Sequence, residues 1–437
     1  MSTPVDIRKI LFIAPPLLCE RVDFYPDFPT PPLGMAYVCS NTGDDLQKDI
    51  LDLSFYNDWD EIRTDLERAD DYDLYAFTAM TPLYDSALSV ARILRKKREG
   101  IFVIGGSHAS VMPREVLDSG SFDIAIIGEG EKTFRELIST IRSGGDLSSI
   151  GGIAFKNGIG EFVVTKRDEF INDLDSLSFP ARELLPMNSY INQFKEVTGE
   201  EGVTLLCSRG CPYNCAFCSK EIFGDKFRVR SAKNVVEEIK DLIKNYGVDM
   251  FQFVDDTFTI NHQFVSELCD EIRRSKLNIR WQCESRVNTV NAELISKMKR
   301  AGCIRIMYGV ESGDQGLLDS MNKGITIDQV VNAFEITRKE NVSTGAFIMI
   351  GYPGETEETL EKTVQIIKRI KPDLISVSFA NILPGTLMQR EYGETDIADS
   401  AEFYDYHIRS NLNSDESMNK KKLEARDQIF DFMKARA

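Results

Sequence analysis

The sequence predicts an α/β protein: an N-terminal doubly wound unit, a second run of parallel βα units, and a short C-terminal helical tail. Three observations carry this. Short apolar runs alternate with amphipathic segments through roughly the first 145 residues. Six further candidate strands, separated by helical patterns, follow between Val203 and about Leu383. Beyond Pro384-Gly385-Thr386 the chain turns polar and acidic and ends on a helical pattern from about Met418.

The first unit opens with Lys9-Ile10-Leu11-Phe12-Ile13, which stops before Pro15-Pro16. Asp73-Leu74-Tyr75-Ala76-Phe77 follows, then a helical stretch Ser86–Arg98 with Ala87, Val90, Ala91 and Leu94 on one face. Phe102-Val103-Ile104 runs into Gly105-Gly106, and Ile124-Ala125-Ile126-Ile127 into Gly128. Strands that are apolar throughout, with helices between them, are covered on both faces and parallel. Glycines directly after such strands mark the carboxyl-end loops where open α/β sheets hold ligands. We place this unit at residues 1–149.

Residues 150–196 read as a linker. Gly151–Gly158 carries a small hairpin around Asn157-Gly158. Asp173–Pro180 reads as an extended connector.

The second unit, 197–388, has candidate strands Val203–Leu206, Met250–Val254, Ile279–Cys283, Ile304–Tyr308, Ala346–Ile350 and Ile375–Phe379. Helical segments such as Ala232–Tyr246 and Gln263–Arg274 lie between them. A full eight-stranded barrel takes about 250 residues, so six units in this length predict a partial barrel. Residues 389–437 form the tail.

Composition narrows the function classes. The 437 residues carry 52 Lys+Arg against 69 Asp+Glu, a net charge of −17, which points away from nucleic acid. No apolar run reaches the roughly 18–20 residues of a membrane span, and the N-terminus shows no secretory pattern. The chain reads as cytoplasmic with no membrane partner, so its nine cysteines are candidates for metal or redox work rather than disulfides. Cys19, Cys39, Cys269, Cys283 and Cys303 are scattered, while Cys207, Cys211, Cys215 and Cys218 crowd together.

Cys211-Pro212-Tyr213-Asn214-Cys215-Ala216-Phe217-Cys218 directly follows the first strand of the second unit. Three thiols on one loop can converge on a soft metal centre. Structural zinc takes four ligands, usually as two separated pairs, and no later pair is present. A cubane cluster normally uses four cysteines, so three leave one iron open for a small ligand. The competing reading is a structural metal loop with Cys207 as fourth ligand; otherwise Cys207 is a buried strand residue.

The run Ser208–Cys218 resembles the signature of the radical S-adenosylmethionine (SAM) superfamily. The resemblance implies a 4Fe–4S cluster on Cys211, Cys215 and Cys218, with SAM chelated at the open iron. It places Phe217 beside the cluster, Asp255 and Asp256 near the SAM amino end, and Glu284 and Arg286 after the next strand. Arg286 is then a partner for the SAM carboxylate. Gly309-Val310-Glu311-Ser312-Gly313 resembles the family's Gly-x-Glu-Ser-Gly, which puts Glu311 and Ser312 near the ribose or methionine. The turn at Gly351 and Pro353 resembles the one against which adenine packs. Each has an ordinary alternative: Asp255 and Asp256 as helix caps, Gly351 as a turn residue, Arg286 as a surface ion pair. Their shared position at carboxyl ends of consecutive strands favours the functional reading of the set.

The first unit carries loops at Pro31-Pro32-Leu33-Gly34, Thr78-Ala79-Met80-Thr81, Gly105-Gly106-Ser107-His108 and Gly128-Glu129-Gly130-Glu131. It lacks the glycine patterns of dinucleotide and ATP sites. Joined to the second unit, it resembles the Rossmann-like cobalamin-binding domain of one radical SAM subgroup, over roughly residues 8 to 388. The resemblance implies cobalamin contacts at Pro32, Gly34, Thr78, Gly105, Gly106, Ser107, His108, Gly128, Glu129 and Gly130. The Asp-x-His-x-x-Gly motif that supplies an axial histidine is absent. His108 stands as either a cobalt neighbour or a loop histidine bonded to backbone.

The fold expected from the resemblance is therefore a doubly wound cobalamin-binding domain, a partial (β/α)6 radical SAM barrel and a helical tail. The implied activity is methyl transfer from methylcobalamin to a small-molecule substrate, after hydrogen abstraction by a 5′-deoxyadenosyl radical. An external flavodoxin or ferredoxin would supply electrons. The sequence leaves open a radical dehydration, cyclisation or rearrangement without methyl transfer, and a non-catalytic iron–sulfur protein. No side-chain nucleophile set is visible. Trp59, Trp281, Tyr308 and Tyr352 are either pocket or core aromatics.

Overall fold

The computed structural model describes residues 4–18, 30–68, 70–167, 169–393 and 416–434. Cys19 and the polar stretch 394–415 lie outside the described residues. The chain divides into two compact units, the first essentially up to Gln193 and the second from Phe194 onward.

The first unit is built on seven strands: β1 Lys9–Ala14, β2 Gln47–Asp52, β3 Leu74–Thr78, β4 Ile101–Gly105, β5 Ile124–Ile126, β6 Ile153–Lys156 and β7 Phe162–Val164. Their order is β2-β1-β3-β4-β5-β6-β7. The first five are parallel, and β6 and β7 add antiparallel. The order 2-1-3-4-5 is that of a doubly wound sheet with its switch point between β1 and β3. Alternate residues explain the continuous apolar runs. Ile10, Phe12, Ala76 and Val103 pack on one face with Phe134, Leu137 and Ile141 of helix Gly130–Ser143. Leu11, Ile13, Phe77 and Ile104 pack on the other with Ala87, Val90, Ala91 and Leu94 of helix Tyr84–Arg95. Trp59 is half-buried against that second face.

Two features differ from the sequence expectation. The edge strand β2, Gln-Lys-Asp-Ile-Leu-Asp, is too polar to show an apolar pattern. The hairpin expected in the linker extends the first sheet, with β6 paired to β5. Its turn spans Asn157 to Glu161, and Asn157 Oδ1 accepts the Ile159 and Glu161 N–H groups.

The second unit holds β8 Gly202–Leu205, β9 Ser208–Arg209, β10 Arg228–Val229, β11 Met250–Phe253, β12 Arg280–Ser285, β13 Cys303–Glu311, β14 Ser343–Ile350 and β15 Leu374–Phe379. Six of these form one sheet in the order β15-β14-β13-β12-β11-β8. All of its pairings are parallel, so each strand lies beside its predecessor, as in an open partial barrel. The expected helices fall at Ala232–Tyr246 and His262–Arg274. Trp281, Tyr308 and Tyr352 are fully buried core residues rather than pocket walls. Helix Glu416–Lys434 closes the described chain, and Lys421 there pairs with Glu357. Among the described residues no helix is long and apolar enough to cross a membrane.

Candidate functional site

The loop bearing Cys211, Cys215 and Cys218 leaves the carboxyl end of β8 and is gathered at its base by the small β9–β10 antiparallel ladder. That base is fixed from below. Asp255, at the end of β11 and fully buried, accepts the Cys207 N–H, the Ser208 N–H and the Ser208 hydroxyl on Oδ1 at 3.1, 2.5 and 2.5 Å. Its Oδ2 is buried without a partner. Desolvation holds its carboxyl up at about 7 despite those donors. Asp255 therefore shapes the loop. Asp256, one residue on, stands exposed at the rim, and desolvation raises its carboxyl too, with Lys220 opposing.

A second anchor is Arg230. Its N–H donates to the Cys207 carbonyl at 2.9 Å, its Nη1 to the Leu206 carbonyl at 2.9 Å, and the same Nη1 meets Glu238 Oε2 at 2.5 Å. Both side chains of this ion pair are buried. The third anchor is the segment Met321–Gly324. Ala216 N–H donates to the Met321 carbonyl at 2.8 Å, and Asn322 Nδ2 to the Asn214 carbonyl at 2.8 Å. Met388 N–H reaches the Ala216 carbonyl at 2.8 Å.

The three thiols thus sit on a loop braced on several sides. Cys215 is buried, Cys211 half-buried, and Cys218 opens to the surface. Crowding still desolvates the Cys218 sulfur and, with Asp256, Cys215 and Cys211 adding repulsion, pushes its thiol up to about 12. Three thiols beside an acid are stable as thiolates only with a cation among them, so the donor set suits a soft metal centre. Among the described residues no three metal-ligating side chains converge tightly enough for a single ion. Cys207 is fully buried, and burial pushes its thiol well above the ordinary value. It reads as a strand-end core residue.

The other expected SAM residues divide. Phe217 lies half-buried, with the Lys323 ammonium 5.6 Å from its ring centre. Glu284 is half-buried; desolvation, then Asp255, raises its carboxyl to about 7. Arg286 is 4% exposed and packs its guanidinium 3.7 Å over the Tyr213 ring. Glu311 sits at a bulge in the β13–β14 register with φ 64, a strained conformation for a non-glycine residue. Its Oε1 receives Lys323 Nζ at 2.6 Å. Lys323 carried no sequence signal: it is one lysine in a polar loop, and only the fold buries it here.

Two members of the Gly-x-Glu-Ser-Gly run are structural. Ser312 is fully buried, with its hydroxyl 3.3 Å from Thr363 Oγ1 and accepting the Asp314 N–H at 3.2 Å. It has no surface to offer ribose or methionine. A Cβ on Gly313 would lie 2.3 Å from the Lys362 carbonyl oxygen. Gly351 has φ 90 and donates its N–H to Glu355 Oε2 at 2.7 Å. Pro353 is half-buried in the same turn.

In the first unit the expected ligand loops also divide. Gly34 is exposed with open space where a Cβ would be, and Pro32 beside it is half-buried. Thr78, Gly105, Gly106 and Ser107 are half-buried at the carboxyl ends of β3 and β4. These residues could face a ligand. Gly106 has a second constraint, since at φ 98 its Cβ would lie 2.5 Å from the Ala79 carbonyl oxygen. Gly128 is covered by Arg167, whose Nη2 fills the position 2.1 Å from a Cβ there. Gly130 lets its helix approach Val38, 2.9 Å from the absent Cβ. Glu129 Oε2 accepts the Ile171 N–H at 2.9 Å. These last three hold structure first. Ser110, which the sequence did not single out, ties two of the loops: it donates to the Gly106 carbonyl at 2.8 Å and accepts the Gly128 N–H at 3.0 Å.

His108 corrects the expectation most clearly. It is fully buried, stacks 4.0 Å from the Tyr84 ring, and neither ring nitrogen has a hydrogen-bond partner. Its nearest carboxylate oxygen is on Glu115, 3.8 Å away. Burial lowers its pKa to about 3, so the ring is neutral. A side chain with no exposed surface cannot ligate cobalt, nor is it bonded to backbone.

Comparison with known proteins agrees with this architecture. Residues 205–367 match the model of the radical SAM superfamily, and residues 25–138 match that of the B12 binding domain. A Pyrococcus horikoshii protein described as an uncharacterized methyltransferase is 32% identical over 386 residues, spanning 87% of this chain and 82% of its own. The anaerobic magnesium-protoporphyrin IX monomethyl ester cyclase of Cereibacter sphaeroides is 31% identical over 343 residues, 76% of this chain and 54% of its own. Among solved structures, the radical SAM methyltransferase TsrM from Kitasatospora setae, with cobalamin and a [4Fe–4S] cluster bound, superposes with a TM-score of 0.73. It is 19% identical, and the match covers 88% of this chain and 74% of that one, a likeness of fold.

Proposed function

Because this chain belongs to the radical SAM superfamily, in the group with an N-terminal B12-binding domain, we propose that it is a cobalamin-dependent radical SAM methyltransferase acting on a small molecule. One observation carries the reading: an open three-thiol donor set at the end of the first barrel strand, in the same chain as a B12-binding domain. When bound, a 4Fe–4S cluster held by the three thiols would supply the electron for reductive SAM cleavage, and cobalamin in the first unit would serve as methyl carrier.

The chain's own residues bind and orient. Cys211, Cys215 and Cys218 hold the cluster on a loop that Asp255, Arg230 and the Met321–Gly324 segment keep rigid. Glu311, fixed by Lys323, offers a carboxylate oxygen at the SAM end of β13. Phe217, Asp256, Glu284, Gly351 and Pro353 line the rest of the SAM position. Pro32, Gly34, Thr78, Gly105, Gly106 and Ser107 form the corrin-facing lip of the first unit. His108 is buried and would offer no ring surface at that lip. The electron donor is of flavodoxin or ferredoxin type.

The test is anaerobic turnover with methyl-deuterated SAM and a reductant, with candidate small molecules as substrate. 5′-Deoxyadenosine together with a deuteromethylated product supports the reading. The cyclase relatives favour one alternative, a radical ring closure without methyl transfer. That alternative predicts 5′-deoxyadenosine and an unlabelled product from protein that retains no corrin.

A further inference from the structure

The sequence expectation has Arg286 facing the SAM carboxylate, yet each of its three guanidinium nitrogens already donates within the protein, three of the five N–H groups in all. Nη1 donates to Cys215 Sγ at 3.4 Å, Nε to Asn288 Oδ1 at 3.2 Å, and Nη2 to the Lys323 carbonyl. Its plane lies over Tyr213, a residue of the same cysteine loop. The backbone beneath it is pinned as well: the Thr289 hydroxyl donates to the Arg286 carbonyl at 2.9 Å, and the Thr259, Ser285 and Thr289 hydroxyls interlock. With a nitrogen tied at each tip and the plane seated on Tyr213, the fork is held in one orientation, and turning it toward another partner would disturb the sulfur and carbonyl bonds.

We propose that Arg286 is a positioning residue of the cysteine loop, bridging the Cys215 sulfur to the Met321–Gly324 segment, rather than the SAM-carboxylate partner. This rests on the cluster reading above. A guanidinium stays charged and presents its donors in a rigid fork, so it fixes the loop in one geometry. A positive N–H donor on a ligating sulfur also favours the more negatively charged, reduced cluster and so raises its reduction potential. A lysine keeps the charge but cannot span sulfur, carbonyl and ring together.

Native protein, Arg286→Lys and Arg286→Gln are reconstituted anaerobically. Iron content, midpoint potential by electron paramagnetic resonance and SAM affinity are then compared, with circular dichroism reporting the fold. Native protein that takes up no iron overturns the cluster reading itself, a result separate from any comparison of variants. With a loaded native protein, the midpoint should fall in Arg286→Gln and fall less in Arg286→Lys. SAM affinity should drop by less than the about tenfold that loss of a direct charged partner brings. Iron lost from either variant with its fold retained also supports the proposal. An unchanged midpoint at full iron content overturns it, most plainly where SAM affinity drops beyond that limit. If Arg286→Gln does not fold, the Lys variant carries the comparison.

Discussion

Arg286 in the second unit and His108 in the first are both buried polar side chains just beyond a parallel strand's carboxyl end. Arg286 spends its donors on Cys215, Asn288 and Lys323. His108 spends none and lies against Tyr84. The contrast runs through both units. Around the cysteine loop, residues meet through side chains, motif members among them: Asp255 with Ser208, Lys323 with Glu311, Arg230 with Glu238. In the first unit, half of the ten expected ligand positions are glycines, several of which let backbones or neighbouring side chains come close, as at Gly106, Gly128 and Gly130. A motif side chain shows its role by the partner it meets, as Ser312 does with Thr363, whereas a glycine motif mixes ligand approach with packing.

The largest effect that tests this contrast is at the thiols. Cys215→Ala should lose its cluster iron and all 5′-deoxyadenosine formation while still binding hydroxocobalamin, as iron analysis and absorbance would show. Corrin lost together with iron would mean that the two sites are not separately built. Next is the buried ion pair. Glu238→Gln removes the carboxylate from a buried ion pair and should cost about 3–5 kcal/mol of unfolding free energy. Denaturant titration measures this, and a cost near zero would show that Arg230 is not a loop anchor.

The two units should also respond to pH with opposite sign. Asp255 rises from 3.8 in the unfolded chain to about 7 when folded. Its contribution is therefore complete below pH 3.8 and is lost as the pH climbs through 7. His108 falls from 6.5 to about 3, so its contribution is complete above pH 6.5 and is lost as the pH drops towards 3. In apoprotein unfolding curves, Asp255→Asn should flatten the decline between about pH 4 and 7. His108→Phe should flatten the acid-side loss. The same slope in native and variant protein would contradict the assignment.

The smallest effects separate two kinds of glycine. Gly106→Ala meets both a positive φ and a backbone oxygen and should destabilise by about 1–3 kcal/mol. Gly34→Ala, in the helix Leu33–Ser40 with free space around it, should stabilise by about 0.5–1 kcal/mol while weakening corrin retention. Equal behaviour of the two would remove the distinction between packing and ligand-facing glycines.

Most of the fold was legible because the parallel strands of both sheets are largely buried, so they stand out as apolar runs. β2 is an exception, an edge strand whose polar residues Gln47, Lys48, Asp49 and Asp52 break the apolar pattern. The hairpin was legible from Asn157-Gly158, but its pairing with β5 is a long-range choice that no local pattern carries. At the site, the three cysteines were legible from spacing alone. The partners that brace them were not. Lys323 and Arg230 are ordinary basic residues until the fold buries them, and Ser312 looked functional because nothing local shows that Thr363 takes its hydroxyl. His108 looked available because a histidine after two glycines reads as a loop residue, when it begins a short buried helix, Ser107–Val111.

The most direct measurement is reductive SAM cleavage by anaerobically reconstituted protein carrying a full complement of iron. The account predicts 5′-deoxyadenosine from the native chain and none from Cys215→Ala. An iron-replete native chain that never cleaves SAM under strong reduction would contradict it.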